Sequence, residues 1–576
     1  MRTPMSRAGR GVALPALVMA LALVAAACAG SAEAPTEEPT EDSAEEEAAG
    51  EAEEDATGAD AEEPQAGGTV VFGADQEPAI INPFLQEGNL YATSVVTTPV
   101  LMSLFRVTPD LEYEPYLLAG EPTVEEDPFR VTYELHPDAT WSDGEPITAE
   151  DVEFTWERRI DPEVEVVSRE GYDLVSDVEI VDDKTITFTF EREYAPWRTL
   201  FSDQSGVILP KHILEGEDLN EVWRDEIPVA SGPFRFEEWN KGVDLTLVRN
   251  EDYWGEPAHL DRIVFRFLED SSTQVQQLRG GEVDVLAPQA QIDLVEQVEE
   301  IGTITTDVAS GAQWEKVSFV TEGTPVEPLY VRQAIAKAID RDAIVEALIA
   351  PINPDATPLN SLLYTSSAPE YQPNWEEALA YDPEGAVALL EDNGCERDTD
   401  DVFICEGERL EIAYATTTGN ERRELTFEIM QAQLAEIGIA LTADFSEASV
   451  LFGTRVWEND YEMAGWALTG QPDPVVAPSQ WGCPDEERGT GSQNFTLYCE
   501  QEATDLMVEA NLTSDPEERA ALINAADALL AETMLSFPLY ESPVITLASE
   551  HVRGVRTNPT SAGPTWNAAE WFRTDN

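Results

Sequence analysis

Basic residues are scarce in this chain of 576 residues. Lysine and arginine together number 33 against 114 aspartates and glutamates, so the formal net charge at pH 7 is -81. Only five of the bases are lysines. A surface of this sign repels phosphate backbones, which excludes nucleic-acid binding through a basic face. Hydrophobic residues make up 42% of the chain, enough for a buried core, so we predict that most of it folds.

Histidines and long apolar runs are also few. The four histidines (His136, His212, His259 and His551) are scattered, so no histidine-rich nickel or zinc site is predicted. After the N-terminal segment, no stretch reaches the roughly 18 apolar residues of a membrane-spanning helix. The sequence contains no HExxH, GxSxG or P-loop pattern, and no spacing singles out an acid pair for glycoside cleavage. We therefore predict neither an enzyme nor a bound cofactor or metal.

The N-terminus has the charge order of a secretory signal. Three arginines precede an apolar run from Val12 to Ala27, which is too short for a comfortable membrane span. The run ends in VAAACAG, which resembles the box at which bacterial lipoproteins are cleaved and acylated on cysteine. We predict a signal peptide over residues 1–27 and lipidation of Cys28. An ordinary signal peptide with an incidental cysteine is the alternative.

An acidic segment follows the predicted lipidation site. Residues 31–67 contain 15 acids, no base and no aromatic residue, a composition typical of a self-repelling disordered tether. We therefore predict a tether over residues 28–67. Beyond these segments, 99 acids still stand against 30 bases, a net charge of about -69. We predict a salt-adapted exterior on the folded part, stabilised when added ions screen its self-repulsion.

Four further cysteines form an even set in an exported chain, which favours disulfides. Four cysteines allow three connectivities. We favour the local pairs Cys395 with Cys405 and Cys483 with Cys499, because each closes a short loop rich in glycine and acids. A metal site is the alternative, although spacings of ten and sixteen do not match CxxC patterns.

The pattern of the remaining chain is mixed α/β. Thr69–Ala74, Arg130–His136 and Lys184–Glu193 are predicted strands. Helical stripes are predicted within residues 331–349 and 424–439, where Gly438 provides a stop, and over about Pro516–Met534. Thr148 is placed to cap a helix whose first turn holds Glu150 and Asp151, where acids suit the helix dipole.

A series of short blocks resembles the family 5 extracellular solute-binding proteins of ABC importers, the group that includes dipeptide and oligopeptide receptors. Any one block is a weak signal, but together they run in the family's order from about residue 69 to the C-terminus. The blocks are WSDGEPITAEDVEFTWERR, ILPKHIL, ASGPFRFEEW, RNEDYWG, GGEVDVL, VRQAIAKAIDR, YDPEGAVALL, QAQLAEIGI and FPLY.

The resemblance implies an α/β fold like that of the periplasmic binding proteins, with two lobes joined by a hinge. Lobe I is expected over residues 68–305, with an inserted subdomain at about 96–225. Lobe II is expected over residues 306–542, and residues 543–576 are expected to return to lobe I. The ligand of such a receptor is enclosed as the cleft between the lobes closes.

The segment MAGWALTGQPDPVV holds the first candidates for ligand binding. In the dipeptide and oligopeptide receptors that it resembles, the tryptophan packs on the ligand and an aspartate three residues later binds its α-ammonium group. The tryptophan is present as Trp466, but the acid position is Thr469. A hydroxyl cannot replace a buried carboxylate as the counter-ion of an ammonium. Asp473 is either a substitute for that acid or a turn residue before proline.

Five further residues are candidates with structural alternatives. Trp314, Trp457 and Trp481 could offer aromatic surfaces to a ligand or could belong to the core. Arg422, at the start of a helix, could bind a ligand carboxylate or form a surface ion pair with a neighbouring glutamate. Asn82 matches a family position near the cleft, but asparagine before proline is also a common turn former.

The function expected from this resemblance is that of a lipid-anchored receptor on the outer face of the cell membrane. It would be a monomer that binds oligopeptides between its lobes and delivers them to the permease and ATPase subunits of an importer. One alternative is the same fold binding an oligosaccharide or another small solute. Another is a lipoprotein with a signalling or chaperone role.

Overall fold

The computed structural model describes residues 64–268, 271–289, 294, 297–298, 303–470, 472–474, 477–485 and 491–575. The predicted signal peptide, Cys28 and residues 28–63 of the predicted tether lie outside the described residues.

Twenty-one strands are described, and the three strands predicted from sequence are among them. They are β1 Thr69–Ala74, β2 Phe105–Val107, β3 Tyr113–Pro115, β4 Thr123–Glu126, β5 Phe129–Glu134, β6 Val175–Asp182, β7 Thr185–Phe190, β8 Phe234–Asn240, β9 Asp244–Arg249, β10 Arg262–Phe267, β11 Val285–Leu286, β12 Ile304–Phe319, β13 Glu396–Arg397, β14 Phe403–Cys405, β15 Glu408–Arg409, β16 Glu411–Ala415, β17 Ala440–Ala443, β18 Met463–Thr469, β19 Ser536–Ser549, β20 Val552–Arg553 and β21 Phe572–Arg573.

Helices alternate with the strands along the chain. The described α-helices are α1 Tyr91–Thr97, α2 Ala149–Ile160, α3 Lys211–Leu214, α4 Ser271–Arg279, α5 Leu329–Ala338, α6 Arg341–Leu348, α7 Pro383–Asp392, α8 Glu421–Glu436, α9 Ala448–Val450, α10 Ala477–Trp481, α11 Gln501–Asn511 and α12 Pro516–Thr533. Short 3-10 turns lie at Gln86–Gly88, Trp197–Thr199 and Ala568–Glu570, and one π-helical turn spans Leu451–Arg455.

Ten strands form one mixed sheet in the order β17-β16-β18-β12-β19-β11-β1-β10-β9-β8. A four-stranded sheet in the order β4-β5-β7-β6 lies within residues 123–190, inside the range predicted for the inserted subdomain. Three smaller sheets pair β13-β14-β15, β2-β3 and β20-β21.

Two large hydrophobic cores lie at the two ends of the ten-stranded sheet. The first contains buried residues from Val70 to Val285, together with Ala548, Val552, Ala568 and Trp571 from the C-terminal end. The second contains buried residues from Val317 to Tyr540. The chain therefore builds one core, then the other, and returns to the first, so the fold has two lobes.

The long strands β12 and β19 join the two lobes. They pair antiparallel from Ile304 opposite Ser549 to Ser318 opposite Ser536. Their register shifts between Ala309 and Gln313 and again between Glu315 and Lys316, and such irregularities bend a strand pair. The predicted lobe boundaries, at residues 305/306 and 542/543, fall within these two strands and stay predictions.

The predicted helices are present. The stripe predicted from Val331 to Ile339 lies on α5 and its C-terminal end, and after a break a second helix, α6, follows within residues 331–349. The break occurs because Asp340 caps the second helix, its carboxylate accepting a hydrogen bond of 3.0 Å from the amide of Ala343. The stop predicted at Gly438 is present, with a φ of 87° that favours glycine.

Candidate ligand-binding site

A cavity of about 450 Å³ lies between the two lobes, a size typical of small-molecule and peptide sites. From lobe I it is lined by Asp75, Tyr91, Arg159, Glu170, Tyr172, Ser202, Asp203 and Gln204, among others. From lobe II the lining includes Gln313, Lys316, Ser318, Arg423, Trp457, Trp466, Thr469, Gln480, Trp481, Gln493 and Phe495. The cavity thus combines aromatic surfaces with polar groups from both lobes.

The aromatic wall comes from lobe II. Trp466 lies on β18, next to β12 in the sheet, and is almost fully buried. Its ring meets Tyr461 edge to face, with centroids 5.8 Å apart. Trp457 lies edge to face with Phe495 at 4.8 Å. Such pairs hold the rings in fixed orientations, which suits a preformed wall. Of the sequence candidates, Trp466, Thr469, Trp481 and Trp457 all line the cavity.

Lys316 stands at the centre of this wall. It lies opposite Trp466 in the β12–β18 pair, and its Nζ is 3.6 Å from the Trp466 ring centroid and 5.5 Å from that of Trp481. Its Nζ donates a hydrogen bond to Ser318, which in turn contacts Ser536. Burial lowers the pKa of Lys316 well below its usual value, although Glu315 opposes the shift.

Glu315 points to the other face of β12 and anchors two arginines. Its Oε1 accepts hydrogen bonds from Arg422 Nη2 at 2.9 Å and from Arg423 Nε at 3.1 Å. All three side chains are at most 8% exposed. Burial raises the pKa of Glu315, but the charges of Arg423 and Arg422 outweigh it, so the net shift is downward. This buried triad fixes the start of α8 against β12.

Arg159 faces the cavity from lobe I. Its side chain is buried, with Cζ 4.0 Å from the ring centroid of Phe84 and 5.4 Å from that of Tyr172. It donates a hydrogen bond to the carbonyl of Ser205, while its Nε has no hydrogen-bond partner among the described residues. Arg159 therefore presents a positive charge to the cavity from the side opposite Lys316.

The carboxylates of the cavity are already engaged by the protein. Asp75 accepts a hydrogen bond of 3.0 Å from Gln289, and Glu170 accepts one of 2.7 Å from Asn511. Burial raises the pKa of both groups, although these hydrogen bonds oppose the shift. The Asn511–Glu170 bond and a 3.2 Å bond from Arg422 to Gln289 both join lobe II to lobe I. The two lobes are therefore in contact at two residues of the cavity lining, Glu170 and Gln289.

Two charged candidates have partners that the sequence does not predict. Arg422 was predicted to bind a ligand or to pair on the surface; instead it is buried against Glu315, which lies 107 residues away. Asp473 forms an ion pair of 2.6 Å with Arg519 of α12, so its carboxylate already has a basic partner, while the turn interpretation of this residue stays a prediction. Neither side chain is among those that line the cavity.

Asn82 and Trp314 also lie outside the cavity lining. Asn82 is buried, donates to the carbonyl of Val222 at 3.1 Å and accepts from the amide of Phe84 at 3.2 Å, the pattern of an Asx turn. Trp314 is buried on β12 beside Gly470. Both residues therefore have the structural role that was the alternative in the sequence interpretation.

Both favoured disulfides are present. Cys395 pairs with Cys405, and Cys483 pairs with Cys499. The second disulfide holds the segment after α10 to the start of α11, with Gln493 and Phe495 of the cavity wall between its two cysteines. It therefore braces part of the site.

Sequence reasoning missed Lys316 and Arg159, although signals for both existed. Lys316 is one of five lysines and stands beside Glu315 in the short segment WEKVSF, which has aromatic residues at both ends. Arg159 follows Val152 and Thr155 at helical spacing, on the buried face of α2. A charge on the apolar face of a predicted element is a sign of function that could have been recognised.

No group of three or more metal-binding side chains, of the kinds supplied by histidine, cysteine, aspartate or glutamate, occurs in the part of the chain that the structure describes. Over the same residues, none of the helices has both the length and the apolar character needed to cross a membrane.

The sequence also matches a defined family. Residues 112–487, more than half of the chain, match the family described as "Bacterial extracellular solute-binding proteins, family 5 Middle". The chain therefore belongs to the family 5 extracellular solute-binding proteins, and its two-lobed fold is that of the periplasmic binding proteins.

Individual relatives agree with this class. The chain is 25% identical over 523 residues to the oligopeptide-binding protein AppA of Bacillus subtilis, covering 88% of this chain and 92% of that one. The solved structure of AppA with a nonapeptide has a TM-score of 0.80 at 21% identity, covering 89% of this chain and 100% of AppA. A periplasmic EDTA-binding protein, EppA, also has a TM-score of 0.80, at 25% identity, covering 88% and 97%.

Proposed function

We propose that this protein is the solute receptor of an ABC importer and that it binds oligopeptides in the cavity between its lobes. The observation that carries the proposal is the cavity of about 450 Å³, walled by Trp466, Trp481 and Trp457 and closed by polar groups from both lobes. A ligand held by both lobes stabilises the closed form, and that form docks on the permease. The site has no chemical step to perform.

Similarity to AppA, solved with a nonapeptide, supports peptides as the ligand class. The second candidate is a non-peptide solute in the same cavity. Similarity to an EDTA-binding protein supports it, and so does Thr469, because the acid that binds a peptide ammonium in the receptors resembled is missing at this position.

The test begins with ligand discovery. The protein is screened by thermal shift against peptide pools of two to nine residues and against an oligosaccharide set. A bound compound is then released from the protein, and its molecular mass is measured by mass spectrometry. We expect saturable stabilisation by peptides that are recovered unchanged. Turnover of the compound would support an enzyme instead, and stabilisation by sugars alone would favour the second candidate.

Trp466→Ala is the variant that locates the pocket. Loss of a buried aromatic contact should weaken the affinity for the best peptide by about tenfold or more, measured by calorimetry. Trp239→Ala is the matched control, because Trp239 lies outside the cavity and hydrogen-bonds to Glu77. Circular dichroism verifies that both variants are folded. Unchanged affinity in folded Trp466→Ala would show that the ligand binds elsewhere.

The lipid anchor belongs to the same proposal. Cys28 follows a secretory signal and precedes the acidic segment, and two acyl chains on it would give stable membrane anchoring. We expect protein extracted from membranes with detergent to begin at Cys28 and to carry the mass of the added lipid. Cys28→Ser should release the protein from the membrane fraction. Retention of this variant on membranes would contradict the anchor.

A further inference from the structure

Two buried cations face the cavity from opposite lobes. Lys316 lies on β12 of lobe II, and Arg159 lies at the end of α2 in lobe I. Both side chains are at most 3% exposed. Among the described residues, neither forms an ion pair with a carboxylate: Lys316 donates to a serine hydroxyl and Arg159 to a backbone carbonyl.

A buried charge without a counter-ion is costly to a folded protein. The cost is visible at Lys316, whose pKa burial lowers well below its usual value. The rings of Trp466 and Trp481 offset part of it through cation–π contacts, but an aromatic face does not neutralise the charge. An anion entering the cavity would remove this cost.

The acids of the cavity do not balance the cations. Asp75 and Glu170 are held by Gln289 and Asn511, and burial favours their neutral forms by raising both pKa values. Asp203 already accepts a hydrogen bond from the backbone amide of Val107 and one from Ser561. Lys316, which has no ion pair with a carboxylate among the described residues, is therefore the group of the aromatic wall with which an incoming anion would pair.

The same wall is poorly suited to an ammonium group. Thr469 offers only a hydroxyl and a backbone carbonyl. The face of Trp466, where a ligand cation could stack, is occupied by Lys316 Nζ at 3.6 Å. A free α-amine bound there would be repelled by a like charge, and position 469 offers it no carboxylate.

We propose that the ligand of this cavity carries a carboxylate that binds Lys316 Nζ between Trp466 and Trp481, with Arg159 providing a second positive charge from the opposite lobe. This refines the proposed function and rests on it, because it assigns the charge of the solute held between the lobes. The ligand carboxylate is either the C-terminus of a peptide or an acid group of a non-peptide solute. In both cases it completes an ion pair that Lys316 lacks among the described residues.

The experiment uses one tetrapeptide library with neutral side chains, prepared in four states of its ends. The states are free at both ends, N-acetylated with a free acid, free amine with a C-terminal amide, and capped at both ends. Citrate and EDTA form a second arm, as carboxylates that are not peptides. Binding is measured by native mass spectrometry, and dissociation constants of the best binders are measured by calorimetry.

We expect the two free-acid states to bind at least tenfold more tightly than their amides, and N-acetylation to change the affinity by less than threefold. Lys316→Met should abolish the preference for the acid. Lys241→Met is the matched control, since Lys241 also lies over a tryptophan ring, at 4.5 Å from Trp239, but is exposed and paired with Asp225. This control should keep the preference of the wild type.

A second variant shows whether the Lys316→Met protein still folds and binds. Thr469→Asp is added to Lys316→Met and places an acid at the wall. The preference should then reverse, so that the free amine binds more tightly than its acetylated form. Melting curves without ligand verify that both variants are folded.

The outcomes separate the two proposals. If the amide binds as tightly as the acid, or if Lys316→Met keeps the preference, the carboxylate site is wrong while peptide binding stands. If no peptide binds but citrate or EDTA stabilises the wild type and not Lys316→Met, the peptide function fails and the carboxylate site stands. If neither arm binds, both proposals fail.

Discussion

At the scale of single residues, Glu315 is the side chain on which we expect the structure of the site to depend most. It neutralises Arg422 and Arg423, and all three groups are buried. Removing one partner of a buried ionic group leaves the others uncompensated, so Glu315→Gln should lower the free energy of unfolding by about 3–5 kcal/mol at pH 7. Urea denaturation measures the change.

The same variant carries a prediction about pH. The pKa of Glu315 is lower in the folded protein than its ordinary value of 4.5, so its charge stabilises the fold above pH 4.5 and loses that effect as the pH falls through the lowered value. The stability difference between wild type and Glu315→Gln should therefore be full at pH 7 and shrink below pH 4.5. The control, Glu179→Gln, breaks an exposed pair with Arg130 and should cost less than about 1 kcal/mol. A difference that stays constant from pH 7 to pH 3.5 would contradict this role.

Positions in the cavity were predictable where the signal is local. Trp466 and Thr469 line the cavity and share one short strand with a recognisable pattern, and their role in ligand binding stays a prediction. The ion pair of Arg422 with Glu315 was not predicted, because the two residues are 107 positions apart in sequence and no periodicity connects β12 to α8. The ion pair of Asp473 with Arg519 was not predicted for the same reason, since Arg519 lies on a distant helix.

At the scale of elements, helix and strand positions followed closely from the sequence. The strand over Thr69–Ala74 and the helix that begins after Thr148 have the expected bounds, since alternation and a capping residue are local signals. The stripe predicted from Val331 to Ile339 is one helix, and Asp340 caps the helix that follows it, which the stripe did not predict.

The crossing strands β12 and β19 were not predicted. β12 is 16 residues long and β19 is 14, far longer than a typical strand. Each strand belongs to both lobes. β12 is exposed or half-buried from Ile304 to Ser310 and buried from Trp314 to Phe319, whereas β19 is buried over nearly its whole length. Neither strand shows the sustained two-residue alternation by which a half-buried strand is recognised in a sequence.

At the scale of the whole molecule, the cavity is a product of topology. Its walls combine residues as distant as Asp75 and Val544, because the chain builds lobe I, then lobe II, and returns to lobe I. The sequence could predict a cleft between lobes and part of its aromatic wall, including Trp466, but not the cations that line the same cavity. The cations of the site could therefore be recognised only from the structure, where Lys316 of lobe II and Arg159 of lobe I line the same cavity.

The last prediction concerns the charge of the whole surface. Outside the N-terminal segments the chain has a net charge of about -69, and whole strands such as β4 are exposed with acids side by side. Repulsion among these acids destabilises the compact state, and salt screens it, with a Debye length of about 10 Å at 0.1 M and about 3 Å at 1 M. The melting temperature should therefore rise from low to molar NaCl, most steeply below about 0.1 M. At pH 4.5, where many surface acids are protonated, the same series should give a smaller rise. A melting temperature that falls steadily with NaCl at pH 7 would show that self-repulsion does not limit the stability of this fold.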